Sequence, residues 1–255
     1  MRPIALMAAM QEEIDALLGS MTGVQSETIG GRQFYAGHLW GSPVVAAWSR
    51  WGKVAAATTA TQLLSRFDPA ELVFIGLAGA VDPACGIGDV IVADELVQHD
   101  MDARPLFSRH ELPLLGITRI PTDPVLAEEL HRSAEHYLRH QLTTELPEEV
   151  RDRFGVASPV VTRGLMLSGD QFVADGKHRE ELRRRLPDAI CVEMEGAAVA
   201  QVAYEHGARF GIARIISDTA DSQAAVDFQS FLSHVADPYS LGIIRGYLTA
   251  KTRQV

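Results

Sequence analysis

Cysteine and long apolar runs are scarce in this chain, and their scarcity excludes two classes of protein. Only 2 of its 255 residues are cysteines, too few for the disulfide framework of a small secreted domain. Because Cys85 and Cys191 lie among apolar residues or glycines, we expect buried free thiols. No apolar run approaches the roughly 18 residues that span a membrane, and the apolar stretch near the N-terminus is too short for a signal peptide. The sequence predicts a cytoplasmic protein with no membrane partner.

Positive charge is also in short supply. The chain has 23 lysines and arginines against 33 aspartates and glutamates, which gives a formal net charge of -10. Nucleic-acid-binding proteins usually carry a basic stripe, whereas the short basic run at 183–185 follows two glutamates, as on a solvated helix face. No nucleic-acid partner is predicted. The composition, 47% hydrophobic and 22% charged, is that of an ordinary globular protein.

Motifs for metals and phosphate-bearing cofactors are missing as well. His99, Asp100 and Asp102 stand close in sequence, but no further histidine or cysteine at ligand spacing supports a metal site. Lys53 begins a predicted helix, but the loop before it lacks the GxxxxGK(S/T) spacing. The glycine-rich stretch Gly76–Ala80 lacks the GxGxxG spacing. We therefore predict neither a metal nor an organic cofactor.

The chain does contain apolar strands that alternate with helices along most of its length. This alternation predicts one three-layer α/β/α sandwich around a mixed central sheet. Pro124–His140 has the apolar spacing of an amphipathic helix. The residues 227–247 predict a long C-terminal helix with an apolar stripe.

Acidic side chains stand where two of these strands end. One apolar run leads into Glu193, Met194 and Glu195, and the next leads into Ser217 and Asp218. In open α/β sheets, ligands bind outside the carboxyl ends of the strands, so these residues predict a binding site. The alternative is that Glu195 only complements a helix dipole and that Ser217 and Asp218 only cap a turn.

Three weaker signals accompany this site. Glu13 follows the first strand, although glutamates are common in a first helical turn. Gly76–Ala80 is predicted as a loop whose backbone N–H groups can approach a ligand. Phe172 beside a glycine turn suits either stacking on a base or packing in the core. These residues alone leave both interpretations open.

The order of several short motifs resembles that of a known family. The motifs are Met10-x-x-Glu13, Gly76-x-Ala-Gly79, Ser168-Gly-Asp-x-Phe172, Val192-Glu-Met-Glu195 and Ser217-Asp218-x-Ala-Asp221. Over nearly its whole length the sequence is similar to the 5′-methylthioadenosine/S-adenosylhomocysteine nucleosidases of the nucleoside phosphorylase superfamily. The resemblance implies a single nucleoside phosphorylase-like domain with a partly barrel-like sheet. It also implies a nucleoside substrate and a homodimer in which the Pro105–Phe107 loop reaches the partner's site.

The resemblance further implies roles for individual residues. Glu13 resembles the glutamate that activates water for attack at the anomeric carbon, and Asp218 resembles the acid that protonates the purine at N7. The implied substrate-binding residues are Met10, Ala78, Gly79, Phe172, Val173, Glu193, Met194, Glu195, Ser217 and Phe228. Among them Met194 and Glu195 hold the ribose, with Glu193 nearby, while Phe172, Val173 and Phe228 contact the base. Ala78 and Gly79 form the wall near the sugar, and Ser217 supports Asp218.

Elementary chemistry agrees with these roles. Breaking an N-glycosidic bond leaves negative charge on the base and positive charge on the ribose. An acid on the purine and a base that prepares water on the other face of the sugar are therefore both needed. Asp218 has to be protonated near neutral pH, and burial beside Ile216 and Phe172 is the expected cause.

Two departures from the family bear on the substrate. Leu77 stands where relatives commonly have serine, which makes that part of the pocket more apolar. The segment 106–158 is longer than in compact members and is predicted as a surface insertion that flanks the end of the site receiving the 5′ substituent.

Alternative functions stay open at this point. In phosphorylases of this superfamily the position of Phe74 carries an arginine, and a glutamate near the anomeric carbon repels phosphate, so hydrolysis is favoured; Arg50 is the residue that reopens the question. A second alternative is a nucleosidase for another 5′-modified nucleoside, such as futalosine. A third is a catalytically inactive nucleoside-binding module, whose affinity would survive Asp218→Asn.

Overall fold

The structure of the protein is a computed structural model that describes residues 2–156, 158–220 and 224–253. Within these residues the strands form one ten-stranded sheet. The strands are β1 (Ile4–Ala8), β2 (Thr22–Ile29), β3 (Arg32–Leu39), β4 (Ser42–Trp48), β5 (Glu71–Ala80), β6 (Val90–Gln98), β7 (Ile120–Pro121), β8 (Val161–Ser168), β9 (Ala189–Glu193) and β10 (Phe210–Asp218).

The helices lie between groups of one to three strands along the chain. They are a 3₁₀ turn (Gln11–Glu13), α1 (Asp15–Ser20), α2 (Lys53–Phe67), α3 (Pro124–His140), α4 (Leu142–Glu145), α5 (Glu148–Phe154), α6 (Gly176–Arg185), α7 (Gly196–His206), α8 (Ala224–Phe231), a π-helical turn (Leu232–Ala236) and α9 (Asp237–Thr252). Local chemistry explains several of their ends. The Asp123 carboxylate accepts from the N–H groups of Val125 and Leu126 and so caps α3, and Gly207 ends α7 in the left-handed conformation with φ 61° that glycine tolerates best.

Part of the sheet closes on itself. Strand β5 pairs with β10, β10 with β6, β6 with β8, β8 with β9, and β9 again with β5. Strands β1, β4, β3 and β2 continue the sheet outward from β5. The pairings β10–β6 and β5–β9 are antiparallel and the other three of the ring are parallel. The closure brings the ends of β5, β9 and β10 to one place.

Helices cover both faces of the sheet. On one face α3 and α9 bury Leu126, Leu130 and Ile243 against the sheet, and on the other α2 and α7 bury Ala60 and Ala203. The alanines let α2 and α7 lie close to the strands and to each other. The predicted three-layer α/β/α sandwich is confirmed, as is its partly barrel-like mixed sheet.

The stretch Gly76–Ala80 is a strand, and the prediction of a loop there was wrong. Strand β5 continues through Ala80 because it pairs with β10 from Leu72 to Gly79 and with β9 at Gly79 and Ala80. The glycines serve close packing rather than a turn. A Cβ at Gly76 would lie 2.6 Å from Oε1 of Glu13, and one at Gly79 would lie 2.7 Å from Oδ1 of Asp218.

Other predicted elements differ in detail. The single helix predicted over 227–247 consists of α8, the π-helical turn and α9, whereas the helix Pro124–His140 is confirmed. The sequence analysis missed β2, whose mostly exposed residues show no alternation. Within the segment 106–158, predicted as a surface insertion, α3 buries residues that include Leu126, Leu130 and Tyr137 in the core.

Cys191 is buried and free as predicted, but Cys85 is only half-buried, because it follows a turn that begins at Asp82. Asp221, the last residue of the motif that begins at Ser217, lies outside the described residues. None of the described helices combines the length and the apolar character that crossing a membrane requires.

Candidate active site

A pocket opens where β1, β5, β9 and β10 end. The described residues that line it are Ala9, Met10, Glu13, Trp51, Leu77, Ala78, Gly79, Gln171, Phe172, Val173, Val192, Glu193, Met194, Glu195, Asp218 and Phe228. Every predicted site residue except Ser217 is among them, and Ser217 contacts Asp218 from behind. The list contains four carboxylic acids and no lysine, arginine or histidine.

Glu13 is held rigidly at the end of β1. It is 2% exposed, and its Oε2 accepts from the N–H groups of Ala9 and Met10, each at 2.9 Å. Its Oε1 accepts from the N–H of Leu77 at 3.0 Å. Burial raises the pKa of Glu13, while the positive charge of Arg214 and the three N–H donors act in the opposite direction. A carboxylate with a raised pKa, fixed against a pocket wall, is suited to accept a proton.

Glu193 anchors the turn from β9 into α7. Its carboxylate accepts from the N–H groups of Glu195 and Gly196 and from the hydroxyl of Ser168. It also forms an ion pair of 2.8 Å with Arg214. Glu193 lines the pocket as predicted, but protein donors take up its oxygens. We therefore assign it to holding this turn rather than to contacting a substrate.

Arg214 is the cation behind the pocket, and the sequence analysis overlooked it. It is 1% exposed, and its guanidinium carbon lies 3.9 Å from the centroid of the Phe74 ring. Within the described residues its Nε and Nη1 have no hydrogen-bond partner. A charged residue inside the apolar run of β10 was the available signal, because a buried arginine needs a carboxylate partner.

Glu195 begins α7 and faces the pocket with one oxygen free of protein donors among the described residues. Its Oε1 accepts from the N–H of Gly52 at 2.7 Å. Burial, followed by the negative charge of Glu193, raises the pKa of Glu195 to about 8. A carboxyl group of this kind can bind hydroxyl groups in either protonation state.

Asp218 ends β10 and is 3% exposed. Its Oδ2 accepts from the Ser217 hydroxyl at 2.8 Å, and its Oδ1 accepts from the N–H of Ala220 at 2.9 Å. The Ser217 hydroxyl also lies 3.4 Å from the carbonyl oxygen of Ala78 on β5. These contacts fix the orientation of the carboxyl group toward the pocket.

Three aromatic rings stand at one side of the pocket. The rings of Phe172 and Phe228 meet edge to face with centroids 5.8 Å apart, and Phe228 meets Trp51 in the same way at 6.0 Å. Trp51 is 55% exposed and was not among the predicted residues. No sequence pattern pointed to it, since only the structure places the residue beside it, Gly52, against Glu195.

Other residues singled out in the sequence lie elsewhere. Arg50 is exposed, and its guanidinium donates to the carbonyl oxygen of Gly31 at 2.9 Å instead of lining the pocket. Asp100 pairs with Lys53, and Asp102 pairs with Arg104 and with Arg109. The described residues contain no group of three or more histidine, cysteine, aspartate or glutamate side chains that could hold a metal ion.

Comparison with known proteins matches this geometry to a family. The family model described as the phosphorylase superfamily matches residues 3–239. A 5′-methylthioadenosine/S-adenosylhomocysteine nucleosidase from Marinomonas sp. is 34% identical over 244 residues, which cover 95% of this chain and 97% of that protein. The chain belongs to this nucleosidase family of the phosphorylase superfamily.

Solved structures agree with the family assignment. The nucleosidase from Neisseria meningitidis in complex with methylthio-immucillin-A has a TM-score of 0.85 at 29% identity, covering 98% of this chain and 100% of that chain. The futalosine hydrolase of Helicobacter pylori has a TM-score of 0.82 at 28% identity, covering 98% of both chains. The predicted resemblance, the fold and the class of enzyme, a nucleosidase and therefore a hydrolase, are confirmed.

Proposed function

We propose that this nucleosidase hydrolyses the N-glycosidic bond of 5′-substituted adenosines such as 5′-methylthioadenosine and S-adenosylhomocysteine. The products are adenine and the 5-thio-substituted ribose. The observation that carries the proposal is that two buried carboxylic acids, Glu13 and Asp218, line one pocket. None of the described residues that line this pocket is a cation that could neutralise them. The names of the relatives support the choice of substrate.

Asp218 serves the leaving base. With its proton, it donates to N7 of the purine and so neutralises the charge that develops as the bond breaks. Ser217 and the N–H of Ala220 hold its two oxygens in place, so little reorganisation is needed at the moment of transfer. The rings of Phe172 and Phe228 lie against the faces of the base, and the backbone of Val173 meets its edge.

Glu13 serves the water. Its Oε1 accepts one N–H bond, from Leu77, and has capacity for a second donor, which we assign to the attacking water. Ala78 and Gly79 form the wall of the pocket beside the sugar. Glu195, next to Met194, binds the ribose hydroxyls with its free oxygen and places negative charge near the cation that forms on the sugar.

Charge favours water over phosphate as the nucleophile. Glu13, Glu195 and Asp218 present acidic groups to the pocket, and Arg214 behind them is already paired with Glu193 at 2.8 Å. A phosphate dianion next to these groups would be repelled. Arg50, which kept phosphorolysis open in the sequence analysis, points toward Gly31.

The test is release of adenine from 5′-methylthioadenosine by the purified protein, with and without added phosphate. We expect adenine and free methylthioribose at a rate that phosphate does not change. Release only in the presence of phosphate, with methylthioribose 1-phosphate as the product, would make the protein a phosphorylase. Asp218→Asn is the control, since a rate near that of the wild type would remove Asp218 from the role of the acid.

A second candidate substrate is futalosine, because the Helicobacter pylori futalosine hydrolase matches this chain nearly as well as the nucleosidases do. Leu77, with its side chain against the pocket, favours an apolar 5′ substituent and therefore the methylthio compound. Competition between the two nucleosides at equal concentration measures the ratio of their kcat/KM values. A ratio in favour of futalosine would reverse the assignment.

We also propose a homodimer, in which the Pro105–Phe107 loop lies near the partner's site. Leu106 is 83% exposed and Leu114 is 91% exposed, more apolar surface than a free loop usually presents. Sedimentation at micromolar concentration tests this, with Leu106→Asp as the variant expected to weaken the dimer. A wild-type monomer would contradict it. The cytoplasmic location stays a prediction.

A further inference from the structure

Lys53, the first residue of α2, contacts two aspartates with different atoms. Its Nζ donates to Oδ1 of Asp100 at 2.7 Å and to Gln98 at 3.2 Å. Its backbone N–H donates to Oδ1 of Asp170 at 2.7 Å. The N–H of Asp170 in turn donates to Oδ2 of Asp100 at 2.9 Å. Lys53, Asp100 and Asp170 therefore close a polar ring.

The polar ring joins three segments that are distant in sequence. Lys53 begins α2, Asp100 follows β6, and Asp170 lies in the segment after β8. On one side of the ring, the neighbouring residue Gly52 donates its N–H to Glu195 at 2.7 Å. On the other side, the residue after Asp170 begins the run 171–173, which lines the pocket. The ring thus stands between the sugar end and the base end of the candidate active site.

The ring is closely built, and two of its three members are largely withdrawn from water, while Asp170 is exposed. The side chains of Lys53 and Asp100 are 17% and 19% exposed. Burial by itself would raise the pKa of Asp100, but the hydrogen bonds from Lys53 and from the N–H of Asp170, together with the positive charge of Lys53, lower that pKa. Gly52 has φ 90°, and a Cβ there would lie 2.9 Å from Oδ1 of Asp170. Only glycine allows the start of α2 and Asp170 to approach this closely.

We propose that the polar ring sets the spacing between Glu195 and the base-binding run 171–173, with Lys53 as its positioning residue. None of its members touches the reacting atoms; they act through the backbone of Gly52 and of residue 170. The inference rests on the proposed function for the roles of the sugar and base ends. Because misplacement of reacting groups by about 1 Å can cost on the order of 10²-fold in rate, the ring contributes to kcat/KM without contacting the substrate.

The experiment compares Lys53→Met with Asp170→Ala and with the conservative Asp170→Asn. We expect Lys53→Met to lower kcat/KM by about 10- to 100-fold, to raise KM, and to weaken the binding of adenine in calorimetry. Asp170→Ala, at an exposed position that tolerates substitution, should do the same to a smaller extent. Asp170→Asn keeps an oxygen that accepts from the N–H of Lys53 and should recover most of the activity.

Lys251→Met is the matched control, since Lys251 is 23% exposed and pairs with the buried Glu71 far from the pocket. It should lower stability but leave KM and adenine affinity unchanged. Unaltered KM and adenine affinity in both Lys53→Met and Asp170→Ala would overturn the inference, and so would an Asp170→Asn variant as impaired as Asp170→Ala. If Lys53→Met does not fold, the KM values and adenine affinities of Asp170→Ala and Asp170→Asn test the inference.

The outcome is separable from that of the proposed function. A wild type that binds adenine but releases none from 5′-methylthioadenosine would refute the proposed substrate. The adenine affinities of the Lys53 and Asp170 variants would still test the positioning role of the ring. A wild type that neither binds adenine nor turns over any purine nucleoside would overturn both. The double variant Lys53→Met with Asp170→Ala adds a further criterion. Because both residues belong to one ring, the double variant should lose less transition-state stabilisation, measured from kcat/KM, than the sum of the losses in the two single variants.

Discussion

Buried carboxylates stand at both ends of β5, and their surroundings differ. At its beginning, Glu71 is 3% exposed and is contacted by Arg209 at 2.9 Å, by Lys251 at 2.9 Å and by the hydroxyl of Tyr247. Beside its other end lie Glu13 and Asp218, which are equally buried. Arg214, the cation that the described residues place there, is paired with Glu193.

This difference in surroundings indicates that Glu71 has a structural role, whereas Glu13 and Asp218 are suited to a role in the reaction. Glu71 is held in place by two cations and a hydroxyl, and through Tyr247 and Lys251 it ties α9 to the sheet. Glu13 is held by N–H groups beside an acidic pocket, and burial raises its pKa. Acids with a perturbed pKa in a pocket of this kind are typical of active sites. Buried acids that are paired with cations are typical of structural positions.

The largest expected effect is that of Asp218→Asn. Asparagine keeps the shape of the side chain but has no proton to donate to N7, so we expect turnover of 5′-methylthioadenosine to fall by about 10²–10⁴-fold. Steady-state adenine release measures the loss. The control at the other end of β5 is Glu71→Gln, which should lose stability and keep turnover. Equal turnover losses in both variants would erase the distinction between the two ends.

Glu13→Gln should also reduce turnover by at least about 10²-fold. The amide cannot accept the proton of water, and its NH₂ group would face one of the N–H donors at Ala9, Met10 or Leu77 that now contact the carboxylate. The same assay applies, with Glu12→Gln as the control because Glu12 is exposed in the same turn. A Glu13→Gln enzyme with near-normal rates would remove Glu13 from the role of base.

Replacement of the cations should affect the two ends of β5 unequally. Arg214→Met leaves the buried Glu193 without its counter-ion, and breaking a buried pair in this way typically costs about 3–5 kcal/mol of unfolding free energy. Lys251→Met leaves Arg209 and Tyr247 on Glu71, so we expect a loss of about 1 kcal/mol. Denaturant unfolding measures both values. Similar losses would show that the two carboxylates depend on their cations to the same degree.

A further expected effect is a dependence of stability on pH that Glu195 introduces. Its pKa is raised from 4.5 to about 8, so between these values the folded state binds more protons than the unfolded state. Stability therefore falls as pH rises through this window. Glu195→Gln cannot ionise and should lack this fall. Its melting temperature relative to the wild type should rise between about pH 5 and pH 9, with each 1 kcal/mol worth about 2–4 °C in a domain of this size.

Glu205→Gln, on the exposed face of the same helix, is the control for this measurement. It should melt in parallel with the wild type at every pH. If Glu195→Gln does so as well, Glu195 is ionised throughout the range and its burial has no consequence for stability. In either case the variant should bind ribose hydroxyls less well, because an amide offers one acceptor oxygen in place of two.

Much of the site was predictable because its residues follow apolar runs directly. Glu193, Glu195 and Asp218 stand at strand ends, and their motifs carried the family resemblance. Glu13 was not separable from an ordinary helix-start glutamate on local grounds. Two of its three N–H partners, Ala9 and Met10, directly follow β1, and only the pairing of β1 with β5 brings the third, Leu77, to it.

Arg214 and Trp51 show where sequence reasoning ended. Arg214 lies in the apolar run of β10, and its partner Glu193 lies on β9, with which β10 does not pair directly. Trp51 enters the pocket through its contact with Phe228, far away in the chain. No local pattern encodes such contacts, since they depend on how the sheet closes.

The sequence by itself determined the alternation of strands and helices, the family, and the acidic residues at the strand ends, because hydrophobic period and short-range chemistry are local properties. Tertiary structure alone decided that Gly76–Ala80 is a strand, which acids are paired, and how the polar ring connects Glu195 to the base-binding run. The physical reason is that ionisation, burial and hydrogen-bond partners depend on groups brought together from distant parts of the chain. In this protein the closure of β5, β10, β6, β8 and β9 brings them together.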